Sequence, residues 1–178
     1  GNDRPGVMLA SAARTYLNRF GVLPGERVVL FTNNDGAYAT ALDLARAGAA
    51  IEAIVDLRPD ADGPLPRAAA EAGLPVRRGA TIVGTSGRRR ITKAWMAQLG
   101  AESLEPTGLR CDLLLVSGGW NPTVHLYSQS RGRLRFDAEA AAFVPGTSIQ
   151  PERSAGSAKG SHSLADCLAE GAAAGAEA

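Results

Sequence analysis

The chain has 178 residues, and its 19 Lys and Arg against 18 Asp and Glu leave a net charge of +1, which excludes the strong field that draws nucleic acid, acidic substrates or an anionic membrane surface. Size scaling lets a chain of this length bury roughly 70% of its unfolded surface. Its two cysteines, Cys111 and Cys167, lie far apart in apolar runs, which excludes a zinc knuckle or a Cys-x-x-Cys pair and fits a reducing, cytoplasmic setting.

Val7, Ala10, Ala13, Leu17 and Phe20 fall near helical spacing ahead of Gly21 and Pro24-Gly25, so a helix is expected over residues 6–20. Arg27 to Thr32 is a β-branched apolar run, as in a strand buried on both faces of a parallel sheet. Asn34 or Asp35 is placed to cap the following helix, which carries Ala37, Ala41, Leu44 and Ala45 on one face and ends at Gly48. Ile51 to Asp56 is a second strand, so the βαβ unit takes about 30 residues. Pro64 or Pro66 opens a further helix closed by Gly73, and Pro75-Val76-Arg77 can form a third strand.

Around Ser86-Gly87 the segment GATIVGTSGRRRITKAWMAQLG alternates apolar and polar residues, the pattern of a β-hairpin. Arg88, Arg89 and Arg90 most simply face water, with phosphate binding as the alternative. CDLLLVSGG, from Cys111 to Gly119, is again a buried parallel strand ending in glycine. Beyond it a short helix over 122–128, a strand pair over 134–137 and 142–144, and an Ala-rich helix from Leu164 are expected, with 151–160 as a mobile stretch. No apolar run approaches the roughly 20 residues of a membrane span, and residues 1–21 lack the layout of a secretory signal. The chain starts without Met and its end, GAAAGAEA, reads as the inside of a helix, as in a piece of a longer protein.

The first strand-turn-helix is the opening unit of a dinucleotide-binding fold. In the G-x-G-x-x-G fingerprint the glycines make the turn, admit the pyrophosphate and let helix and strand pack closely. Here those places hold Thr32, Asn34 and Ala37, and only Ala37 is an accepted substitute. Asn34 is expected to stand where a pyrophosphate oxygen comes near, and Asp35 to fill the helix terminus from within. Asp56 ends the second strand where an acid meets an adenosine ribose. Asn34 and Asp56 are therefore vestigial or weak cofactor contacts. His125 and His162 have no acid and nucleophile at a triad spacing, and no G-x-S-x-G elbow surrounds Ser117. Trp95 reads as packing, and Trp120 as packing or a pocket or subunit contact.

GNDRPGVMLASAARTYLNRFGVLPG, VVLFTNNDGAY, CDLLLVSGGWNPTVHL and ERSAGSAKGSHSLADCLAEGAAAG, in this order, resemble the alpha-subunit family of heterotetrameric sarcosine oxidases. That family is similar to the pyridine nucleotide-disulfide oxidoreductases, in which a smaller nucleotide domain is inserted into a larger one. The resemblance implies an α/β fold: a Rossmann-like three-layer domain with a parallel sheet plus a β-hairpin or meander. Residues 1–21 become a helical lead-in from the larger dinucleotide domain, 22–128 the inserted NAD(P)H-domain homologue, and 129–178 the return segment.

Ser117 to Pro122 stand where the class has A-x-G-x-x-P-N, and Gly156-Ser157 stand where it has a G-D pair contacting FAD. Loss of the acid agrees with NAD, which the resemblance places in the larger domain, so Gly156, Ser157, Ser161, His162 and Leu164 are implied as one edge of an NAD site. The dinucleotide fingerprint would lie upstream and a folate-binding region downstream. FAD and FMN would belong to the parent complex, with no cofactor expected on this segment alone. The parent would oxidatively demethylate sarcosine, passing electrons through flavin to oxygen and the one-carbon unit to tetrahydrofolate. No residue here is expected to be catalytic, and no metal is expected. Partners would be the other subunits and the rest of the alpha subunit, not nucleic acid or membrane. The alternatives are the NAD(P)H-binding domain of a flavin-dependent reductase of the disulfide class, and a non-catalytic assembly module.

Overall fold

The computed structural model describes residues 3–100 and 105–177. Val7–Leu9 is the first strand, β1, and Ala10–Phe20 the first helix, α1. The helix expected over residues 6–20 therefore starts late: Val7, Met8 and Leu9 pair in parallel with Leu114, Leu115 and Val116. Periodicity cannot separate helix from strand in so short an apolar run, and a long-range partner decides it. The helix stops where glycine predicts, with Gly21 at φ 65° and its N–H on the Leu17 carbonyl.

The chain then continues through Arg27–Thr32 (β2), Gly36–Arg46 (α2), Ala50–Asp56 (β3), Pro64–Glu71 (α3) and Val76–Arg78 (β4), close to the expected bounds. Ala80–Ser86 (β5), Lys93–Gln98 (β6) and Thr107–Arg110 (β7) form an antiparallel meander. The hairpin thus has a third strand that the short, exposed TGLR stretch did not announce. Leu113–Ser117 is β8. Parallel pairing gives a sheet of order β1-β8-β2-β3-β4.

Alternation along the buried strands builds the three layers. Val28, Leu30, Ile54 and Leu115 point to the helices, against Ala13, Tyr38, Ala41 and Leu44. Val29, Ala53, Val55 and Leu114 point to the meander, against Ala80, Ile91 and Ala94. Full burial of each Leu, Ile or Val contributes about 1.5–3 kcal/mol. Register aligns the strand ends: Thr32 lies beside Ser117 and also beside Asp56. These three ends carry the first candidate site.

Two compact units divide the chain, Gly1–Gly119 and Trp120–Ala178. Residues 7–20, expected as a lead-in, belong to the sheet and helix layer of the first unit. Trp120 to Ser128, expected at the end of the inserted domain, belongs to the second. That second unit holds His125–Gln129 (α4), an antiparallel pair of Arg133–Asp137 (β9) and Ala142–Thr147 (β10), a 3-10 turn at Gly156–Ala158 and the helix Leu164–Ala176 (α5). Thus 151–160, expected as mobile, contains a regular turn. Ser163 caps α5 by accepting from the Asp166 N–H at 3.1 Å. Ala178 of the expected helical end lies outside the described residues. Among the described residues no helix is long and apolar enough to cross a membrane.

Candidate functional site

Side chains fill the β2–α2 turn where a dinucleotide fold has glycine. Thr32 is fully buried, and its hydroxyl accepts from the Asn34 N–H at 3.0 Å and donates to the Asn34 carbonyl at 2.9 Å. The Asn34 amide folds back onto the end of β8, donating to Ser117 Oγ at 3.0 Å and to the Ser117 carbonyl at 3.2 Å. The side chain thereby ties two strand ends together. Asn33 makes a similar tie to the Gly118 carbonyl at 3.2 Å.

Asp35 also departs from expectation, because its carboxylate makes no cap bond to α2. An N-cap normally has extended backbone, whereas Asp35 is already helical at φ −71°, ψ −27°, so its side chain points away from the first N–H groups. It accepts instead from Arg58 Nη2 at 2.7 Å.

Arg58 is the residue that motif reading missed. Its Nε and Nη2 donate to Asp56 Oδ1 and Oδ2 at 3.1 and 2.9 Å, its backbone N–H to Oδ1 at 2.9 Å, and Tyr38 OH to Oδ2 at 2.8 Å. Asp56 is fully buried, and four donors use the four acceptor positions of a carboxylate. Burial alone pushes the Asp56 carboxyl up, but the Arg58 side-chain and backbone bonds, with that of Tyr38, outweigh it and hold the group below the usual carboxylate range. Burial, then the bond to Asp56, raises the Tyr38 phenol. Arg58 is raised first by its bond to Asp56. With two carboxylates and one guanidinium, this cluster carries a net charge of −1 at the N-terminal end of α2. A pyrophosphate fits poorly there, and the Asp56 carboxylate has no acceptor position left for a further donor.

In the second unit, Arg135, Asp137, Glu139, Val144, Lys159, Gly160 and Ser161 are among the residues lining a cavity of about 450 Å³. Gly156 at φ 61° and Gly160 at φ 110° turn the chain around it. Glu170 of α5 holds this turn, accepting from the Gly156 N–H at 2.8 Å and Ser161 Oγ at 2.7 Å, with Lys159 Nζ at 3.5 Å. The Ser161 and Gly156 bonds, in that order, depress its carboxyl. Gly156 and Ser161 are thus brought together by a residue that no motif reading named. Ser157 is exposed, and its carbonyl accepts from the Thr123 N–H at 3.0 Å. His162 and Leu164 are exposed at the start of α5. The lining balances two cations with two acids and includes one positive-φ glycine, Gly160, so part of a polar ligand such as NAD fits.

His125 and His162 are both exposed, Ser117 Oγ serves the Asn34 tie, and no cluster of metal-binding side chains occurs among the described residues. Trp95 donates to Ser86 Oγ at 2.7 Å within the meander, while Trp120 is 68% exposed. Arg88, Arg89 and Arg90 face water as expected.

The parallel sheet with its meander is the fold of the FAD- and NAD-linked pyridine nucleotide-disulfide reductases. T. acidophilum thioredoxin reductase superposes with a TM-score of 0.72 at 14% identity, over 96% of this chain and 55% of that chain. In sequence the chain is homologous along nearly its whole length to a segment of sarcosine oxidase alpha subunits. It is 41% identical to the alpha subunit from Corynebacterium sp. (strain P-1) over 99% of this chain, and 36% identical to that from Corynebacterium sp. (strain U-96) over 97%. The chain spans 18% of the length of each of these relatives. No protein-family model matches it.

Proposed function

We propose that this chain is a scaffold segment of a sarcosine oxidase alpha subunit. In the parent enzyme sarcosine is oxidatively demethylated, with electrons passing through flavin to oxygen and the one-carbon unit to tetrahydrofolate. The observation that carries the scaffold role is the saturation of Asp56: the first unit keeps the sheet of a nucleotide domain but fills the ribose contact with its own Tyr38 and Arg58. The residues from Gly156 to Leu164 then form one edge of an NAD site in the larger domain. The Gly160–Ser161 cavity and the turn held by Glu170 support this role. NAD supplies a bound dinucleotide there, and the chain's own part is to shape backbone and hydroxyl contacts. The second unit reads as the return segment of that domain, since Trp120, Leu126, Leu164 and Leu168 are 65–78% exposed and an apolar surface of this kind calls for a cover.

One observation favours a second reading, NAD(P)H binding at the β2–α2 turn: α2 has no side-chain cap, so its first N–H groups remain open to an anion. Titrating NADH while following the amide shifts of Asn34 to Ala37 decides between them. The scaffold reading expects no saturable shift there; micromolar binding at those amides refutes it.

A further inference from the structure

At the opposite end of the sheet from Asp56, a cleft of about 280 Å³ is lined by Arg27, Arg90, Ile91, Thr92, Arg110, Cys111 and Asp112. Arg27 opens β2, Arg90 to Thr92 close the β5–β6 loop, and Arg110 ends β7. The floor is apolar, with Ile91 and Cys111 only 1% and 4% exposed. Three guanidinium groups converge on the rim, and two are held in place: Arg27 Nη2 by Glu52 Oε1 at 2.8 Å, and Arg90 Nη2 by the Asp112 carbonyl at 3.3 Å. Each guanidinium has five N–H donors, so these single bonds leave most of them free. The Arg110 guanidinium bonds to none of the described residues.

Asp112 in the lining and Glu52 on Arg27 offset two of the three guanidinium charges, so the rim keeps an excess of one positive charge. Asp112 Oδ1 accepts from the N–H groups of Glu26 and Arg27 at 3.1 and 3.0 Å, and Asp112 pairs with no cation among the described residues. Arg88 and Arg89 add further charge on the same loop, and no acid occurs in the sequence between Glu71 and Glu102. We propose that this cleft binds a phosphate group, free or on a small ester. Guanidinium forks match tetrahedral oxyanions in paired hydrogen bonds, and the apolar floor keeps water from one side of the anion. The volume lies below the roughly 300–1,000 Å³ of pockets that enclose whole organic ligands, so a single phosphate group is what it holds. The cleft also lies at the amino ends of β2 and β8, opposite the carboxyl ends of the strands where dinucleotides bind in this fold.

The test is a titration of the full chain with inorganic phosphate, and in a second arm with glycerol phosphate, following arginine side-chain N–H signals at constant ionic strength against chloride. Saturable shifts are expected at Arg27, Arg90 and Arg110 and at the Thr92 and Cys111 amides, but not at Arg14 or Arg67. Whichever arm saturates at the lower concentration identifies the source of the phosphate. Arg110→Ala, at an exposed position, weakens binding about tenfold with the backbone spectrum otherwise intact, and Arg110→Lys falls between it and the parent. Shifts that grow without saturating, appear equally with chloride, or spread evenly to Arg14 and Arg67 overturn the proposal.

Discussion

Replacing Arg58 by alanine removes two side-chain bonds from a carboxylate with no solvent exposure. Hydrogen bonds to charged groups contribute about 1.5–3 kcal/mol each, and stripping one partner from a buried pair costs about 3–5 kcal/mol. The Arg58 side chain is itself 36% exposed, so water reaches part of the vacated space and the loss belongs near 3 kcal/mol. Urea unfolding then shows a midpoint lower by about 1–3 M for slopes of 1–3 kcal/mol per M. The pH dependence gives a second check. In the parent, the bonds from Arg58 and Tyr38 hold the Asp56 carboxyl below its ordinary range, so its stabilisation is present above the unfolded pKa of about 3.9 and is lost as pH falls through the folded value. In Arg58→Ala burial is no longer balanced, the carboxyl rises, and the gap between variant and parent is widest at neutral pH and narrows as acid protonates Asp56. In an Asp56→Asn background the same change costs under about 1 kcal/mol. A loss below about 1 kcal/mol at neutral pH, or one equal near pH 4 and pH 7, refutes the view that Arg58 and Asp56 form a buried internal pair.

Tyr38→Phe removes one bond of 2.8 Å to Asp56 and lowers stability by about 1.5–2 kcal/mol in the same unfolding assay, leaving the Arg58 bonds intact. Cys111 is buried and burial pushes its thiol up to about 11, so native protein near pH 8 takes up thiol reagent at Cys167 alone and at both cysteines in urea, as mass spectrometry of the labelled peptides reads. Glu170→Ala frees Gly156 and Ser161 from their anchor, and hydrogen exchange at the Gly156 amide speeds up about tenfold. In the parent that protection holds at neutral pH and falls with acid, as pH drops through the depressed Glu170 value.

Local pattern carried much of the fold. The β2–α2–β3 unit, the Gly21, Gly48 and Gly73 stops, the hairpin at Ser86-Gly87 and the start of α5 each follow from short-range spacing and turn chemistry, and each lies within a few residues of its expected bounds. The short strands were not legible. Val7 to Leu9 has too few residues to show a period, and Thr107–Arg110 is an exposed edge of the meander whose order comes from pairing with β6.

The candidate site divides in the same way. Sequence alone showed that the turn lacks its glycines, that Asp56 ends a strand, and that the 156–164 stretch opens the last helix. Only the tertiary structure decided what those residues do. Tyr38 reaches Asp56 across 18 residues, and Glu170 reaches Gly156 across 14, because helix packing, not spacing, sets those distances. The D-x-R pattern after β3 was the one local signal available for Arg58, whose guanidinium spans Asp56 and Asp35, 23 residues apart from it in the second case. Spacing along a chain specifies which backbone groups can pair, while a carboxylate's partners depend on which side chains the packed layers bring within 3 Å of it.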